Sequence, residues 1–165
     1  MDIYAALKSD HKQIKTLLKQ LDDTTENSVK RRMLLLKKLK ETLVPHARAE
    51  EKVLYDPLKK SPVKDADALA FEGYEEHTVV DRLLRTLEDT ASNDKKWTAL
   101  ISVARKGLEH HIKEEEDDIF KKSKKSFEPA EVEEMAIRFL KLKRSYLADL
   151  KSGKLPQQPS SHELV

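Results

Sequence analysis

Apolar residues recur three or four positions apart over long stretches of this chain, the period of amphipathic helices. The first stretch runs from about Ile3 to Leu21 and breaks at Asp22-Asp23-Thr24-Thr25. Ser28 can cap the second, whose pattern continues to about Lys60 and stops at Ser61-Pro62. Pro45 lies inside it, removes one backbone donor and is expected to kink the helix. A third stretch spans roughly Asp65 to Asp89, and after a polar loop at 90–94 a fourth runs from about Lys96 to Lys122. A fifth starts near Pro129, a good first-turn residue, and ends near Leu150, with acids early and bases late to suit the helix dipole.

Four such helices with short loops predict an all-α fold, an antiparallel up-down four-helix bundle over residues 1–125. An additional C-terminal helix over 126–150 and a flexible tail over 151–165 would follow. The fifth helix carries Val132, Met135, Phe139, Leu142 and Tyr146 at helical spacing, a face suited to the outside of the bundle or to a protein partner.

The stripes themselves hold the chemistry. Each bundle helix has an apolar stripe that is interrupted at a histidine: His11 after Ile3 and Leu7, His46 after Leu39 and Leu43, His77 after Ala70 and Tyr74, His111 after Leu108. In three helices a carboxylate follows four residues later and stays in the stripe, giving the pairs His46 and Glu50, His77 and Asp81, His111 and Glu115. Four residues is about 6 Å along a helix, on one face, so such a pair can reach one ion or two adjacent ions. Burying unpaired imidazoles and carboxylates costs several kcal/mol each, in the range of ~2–7 for polar groups and more for charges. Mutual hydrogen bonding could compensate one pair, but three pairs and His11 together point to metal. His110 competes with His111, yet its own stripe (Val103, Gly107, Glu114, Asp117) is a poor apolar face, so His111 is the expected ligand. Tyr74 lies one turn before His77 and is expected to pack rather than to touch a bound oxidant.

Composition narrows the choice. The chain has 165 residues and no Cys, which excludes thiolate zinc sites, iron–sulfur clusters and a Cys nucleophile. His with carboxylate ligands suits Fe, Mn or Zn. Four His with at least two acids exceed what one catalytic zinc takes and fit two ions about 3.5–4 Å apart. No His has Glu three residues before it, as ferritin-type di-iron bundles require. A net charge of +2 and 5% aromatic residues give no footprint for nucleic acid. The basic run Lys121-Lys122-Ser123-Lys124-Lys125 reads as a solvated loop. No apolar run is long enough to span a membrane, and Met1-Asp2-Ile3 opens straight into helical pattern without a signal peptide, so a cytoplasmic protein is expected.

These residues resemble the hemerythrin-like (HHE) domain family: His11 in "DHKQI", His46-x-x-x-Glu50, His77 in "EEH" and His111-x-x-x-Glu115, in this order over residues 1–122. The frames "HARAEEKVLY" and "HIKEEEDDIF" also echo each other. The resemblance implies a non-haem centre of two Fe ions with an oxo or hydroxo bridge, in which Glu50 and Glu115 bridge and His11, His46, His77 and His111 are terminal ligands. Oxygen-carrying members have a second His four residues after the third-helix His, where this chain has Asp81. That departure speaks against reversible oxygen carriage and adds Asp81 to the candidate ligands. The function implied is binding of dioxygen, peroxide or nitric oxide in oxygen, iron or redox sensing or stress response; the alternative is a peroxide-decomposing enzyme.

Overall fold

The computed structural model describes residues 1–154. It is built of helices, with no strand among the described residues. Helix α1 spans Ile3–Asp22, with the Asp2 carboxylate capping it by accepting from the Ala5 N–H at 2.8 Å. Helix α2 is α-helical over Val29–Glu50, passes through a π-helical turn at Glu51–Tyr55 and closes at Asp56–Leu58. Helix α3 spans Ala66–Glu88, entered through Asp65 in the left-handed conformation, a place an Asp tolerates. Helix α4 starts at Lys95 under an Asp94 cap, turns π-helical at Glu115–Ile119 and ends with Phe120–Ser126. Helix α5, Pro129–Lys151, opens with a reciprocal capping box between Glu128 and Glu131.

Helices α1 to α4 run up and down and pack side by side, and α5 lies across α1 and α2. The fifth helix therefore finds its partner in its own bundle. Pro45, expected to kink α2, is buried within the α-helical part, and the helix turns π-helical at Glu51. The basic run at 121–125 is not a loop but the last turns of α4, with Ser123 buried and bonded to the Tyr4 hydroxyl at 2.8 Å. Of the tail, Lys151 closes α5, and residues 155–165, including His162, lie outside the described residues. No helix among the described residues is long and apolar enough to cross a membrane.

Two apolar clusters fill the bundle. One, around Leu7, Leu54, Tyr55, Ala70 and Phe139, lies toward the π-helical turns. The other, around Leu18, Leu39, Leu84 and Trp97, fills the end nearer the α3–α4 loop. In each bundle helix the interrupting histidine falls between residues of the first cluster and residues of the second, which places it in the middle of the molecule.

Candidate metal centre

His11, His46, His77 and His111 all point inward and are at most 5% exposed, and Glu50 and Glu115 are fully buried. Ligating atoms of His11, His46 and Glu50 come within 4.8 Å of one another, and so do those of Glu50, His77 and His111. Glu50 belongs to both groups. Its Oε2 is 3.7 Å from His46 Nε2 and 3.5 Å from His77 Nε2. Glu115 Oε2 takes the facing position, 3.2 Å from His11 Nε2 and 3.9 Å from His111 Nε2.

The outer nitrogens of the four rings are all taken. Among the carboxylates around the centre, Glu116 Oε1 accepts from His11 Nδ1 at 2.8 Å, Asp10 Oδ2 from His46 Nδ1 at 3.0 Å, and Glu51 Oε1 from His77 Nδ1 at 2.8 Å. Glu76 accepts from His111 Nδ1. Each bond crosses to a neighbouring helix, α1 to α4, α4 to α3, α3 to α2 and α2 to α1, so the four close a ring around the bundle. An ionised carboxylate can only accept, so each bond places the proton on Nδ1 and leaves the Nε2 lone pair facing inward. That tautomer and orientation are what a metal-ligating histidine needs.

The inward side is, by contrast, unsatisfied. His11 Nε2 and all four oxygens of Glu50 and Glu115 are buried without a hydrogen-bond partner among the described residues. His77 and His111 turn Nε2 toward Nε2 at 3.2 Å, an approach of two lone pairs that a shared cation or a proton must relieve. Burial and the nearby Glu115 push the Glu50 carboxyl well above the ordinary range. Burial also works to raise Glu115, but the neighbouring Glu50 carboxyl and His11 outweigh it and bring Glu115 below its ordinary value. Burial, with His111 beside it, holds His77 well below its ordinary value, and burial also lowers His46. For His11 burial is outweighed by Glu115 and Glu116, which raise it. A buried site with several unshared lone pairs and competing protons is the donor set of a cation site without its cation's charge. The residues present fit metal.

The two π-helical turns explain how adjacent acids serve one centre. Bonding from i to i+5 fits more residues into a turn than α-helix does, so successive side chains diverge less. Glu50 and Glu51 are thus both fully buried, one facing the centre and one backing His77. Glu115 and Glu116 divide the same two tasks at the other turn.

Asp81 is not brought into either group of ligating atoms. Its Oδ2 is 2.7 Å from Arg48 Nη2, and Arg48, 2% exposed, also reaches Glu51 Oε2 at 3.2 Å. Tyr74 is buried, and its hydroxyl donates to Asp56, away from the centre. His110 is 66% exposed and pairs with Glu114 at 3.2 Å.

Sequence reasoning missed the four backing acids, Asp10, Glu51, Glu76 and Glu116, although each adjoins a candidate ligand in the chain. It also missed Tyr55. That ring is fully buried, lies near-parallel to His77 with centroids 5.4 Å apart, and its hydroxyl has no hydrogen-bond partner among the described residues. Burial and the neighbouring Glu115 and Glu50 raise it well above an ordinary phenol, so it stays protonated. Gly73 makes room for it: a Cβ there would stand 2.6 Å from Tyr55 Cε2. Beside the four histidines lies a cavity of about 10 Å³, walled opposite by Ile14, Leu43, Val44 and Leu108, with space for roughly one water-sized guest. A far larger groove of about 1070 Å³, between Met33, Leu87 and Trp97, opens at the other end of the bundle, away from these ligands.

A helical bundle with inward histidines and acids, each histidine backed by a carboxylate, defines a cation-binding protein. Residues 2–123 match the family model for the hemerythrin HHE cation binding domain, and the chain belongs to that family. A crystal structure of a hemerythrin HHE cation binding domain-containing protein from Mycobacterium kansasii is similar, with a TM-score of 0.75 and 27% identity over 92% of this chain and 93% of that one. Among curated proteins no match is found.

Proposed function

We propose that this chain is a non-haem di-iron protein that binds a small oxidant, dioxygen, peroxide or nitric oxide, and serves oxygen, iron or redox sensing or stress response. The observation that carries this reading is the saturation of every Nδ1 by a carboxylate while His11 Nε2 and both central carboxylates face inward unsatisfied. His11 and His46 would hold one ion and His77 and His111 the other, with Glu50 and Glu115 between them. Nitrogen and oxygen donors without thiolate suit iron. An iron pair supplies electrons and Lewis acidity to a bound oxidant.

The rest is the work of the chain. The backing acids fix ring orientation and raise the donor strength of each imidazole. The apolar wall of Ile14, Leu43 and Leu108 offers no hydrogen bond to a guest, and the space beside it admits only a guest of very few atoms. Asp81, held by Arg48, leaves the third helix with a single imidazole at the centre. Tyr55 favours a second reading, peroxide decomposition, because its hydroxyl beside Glu50 keeps its proton and offers a bound peroxide a hydrogen-bond donor.

Metal analysis and an optical spectrum, before and after reduction and exposure to air, test both. We expect about two irons per chain and a change of spectrum on reoxidation. His111→Ala should lose at least one iron and His110→Ala almost none. Fewer than two metals in the fully loaded protein would refute the di-iron reading, and equal loss in the two variants would overturn the choice of His111 over His110. Steady oxygen evolution from peroxide would select the enzyme, and a stable adduct the binder.

A further inference from the structure

Helix α5 lies beyond the residues matched to the family, yet it closes over one edge of the centre. Its Lys143 Nζ stands 2.8 Å from each oxygen of Asp10, and Asp10 backs His46. One turn earlier Phe139, fully buried, sets its ring edge-on to the His46 ring with centroids 5.6 Å apart. The carboxylates backing His11 and His111 differ. Glu116 and Glu76 are 27% and 28% exposed and have no Lys or Arg within ion-pair distance among the described residues. Glu51, behind His77, shares Arg48 with Asp81.

We propose that Lys143 is a positioning residue through which α5 weakens the hold of His11, His46 and Glu50 on their cation. A free carboxylate behind an imidazole draws on the Nδ1 proton and makes Nε2 a stronger donor. Lys143 holds part of that charge, so Asp10 draws less and His46 donates less. The ammonium also sets a positive charge near the cation. Lys143 thus does for His46 what Arg48 does for His77, and the two imidazoles nearest Glu50 are weaker donors than the two nearest Glu115. The inference rests on the two-ion reading above.

Cobalt(II) titration of the metal-free protein tests it. In Lys143→Met one of the two binding steps should tighten, by ~3–10-fold, less than the loss typical for a residue that touches a ligand directly. The other step should stay unchanged, and the iron-loaded protein should shift to lower reduction potential. Lys143→Arg keeps the cation and should match the wild type. Asp10→Asn keeps an acceptor but removes the charge, and should weaken the same step by a similar factor. Opposite shifts in Lys143→Met and Asp10→Asn support the proposal, because a merely structural prop would weaken binding in both. Unchanged binding in Lys143→Met, or weakening in both variants, overturns it while two cobalt ions in the wild type leave the two-ion reading standing. Fewer than two in the wild type overturns both. Lys143 is 29% exposed, so its replacement should not impair folding, and Asp10→Asn gives a second measurement if it does.

Discussion

The bundle buries polar side chains in two places, and the two are treated in opposite ways. Near the α3–α4 loop, Arg32 is 1% exposed, yet every guanidinium nitrogen is used. Nε donates to Thr24 Oγ1 at 2.9 Å, Nη1 to the Ser92 carbonyl at 2.6 Å, and Nη2 to the Thr24 carbonyl and Thr98 Oγ1 at 3.2 and 3.0 Å. Its carbon lies 4.6 Å over the Trp97 ring. At the centre, by contrast, Glu50 and Glu115 have no hydrogen bond on any oxygen. A buried charge that is fully bonded is a fastener, here tying the start of α2 to two loops. Buried acids left open, with all their neighbours oriented, are reserved for something that the polypeptide itself does not supply.

The comparison breaks most visibly if Arg32 is replaced. Arg32→Met would leave several acceptors buried and unpaired, at ~1–3 kcal/mol each, so a loss of about 3–5 kcal/mol is expected in urea unfolding. The loss should be the same with and without metal, because nothing in the Arg32 cluster touches the centre. A loss that depends on metal would show that the two buried regions are coupled.

Much of this contrast was legible beforehand, and the part that was not has a physical cause. Helical period alone located His11, His46, His77 and His111 on inward faces, and the four-residue spacing chose Glu50 and Glu115 over their neighbours. The same rule chose Asp81, and there spacing was not enough. Arg48 lies two residues after His46 on another helix, and a partner across helices is invisible to a pattern read along one. The backing acids were hidden for the same reason, since Asp10 serves a histidine of α2 and Glu76 one of α4. The π-helical turns, which let Glu51 and Glu116 turn inward beside Glu50 and Glu115, have no period that α-helical templates can detect. Arg32 was unreadable too, because its acceptors are mostly carbonyls and hydroxyls of distant loops.

A smaller effect sharpens the account of the centre. In the metal-free protein burial and the nearby Glu115 raise the Glu50 carboxyl well above its ordinary value, so it gives up its proton less readily than in the unfolded chain. The unfolded chain releases that proton near the ordinary value of 4.5. Above that pH the folded state binds more protons than the unfolded one, so this group costs stability as pH rises, at up to about 1.4 kcal/mol per pH unit. Glu50→Gln removes the term at nearly the same size and shape. The variant should match the wild type near pH 4.5 and exceed it increasingly toward neutral pH, measured by urea unfolding in chelator. An advantage that shrinks as pH rises would show that Glu50 is ionised in the fold. Added metal should reverse the ranking, since the wild type gains binding energy that the variant has lost.

The smallest effect separates two buried tyrosines whose rings meet edge to face at 5.5 Å. The Tyr74 hydroxyl donates to Asp56, so Tyr74→Phe should cost about 1–1.5 kcal/mol. The Tyr55 hydroxyl faces the centre without a hydrogen bond, so Tyr55→Phe should leave the metal-free protein within about 0.5 kcal/mol of the wild type or stabilise it. The same substitution should still change the optical spectrum of the iron-loaded protein, because the lost hydroxyl is one of the few polar groups near Glu50 that no backing partner claims. If Tyr55→Phe instead destabilises the metal-free chain as much as Tyr74→Phe does, the phenol is a fastener like Arg32 and belongs to the other region of the comparison.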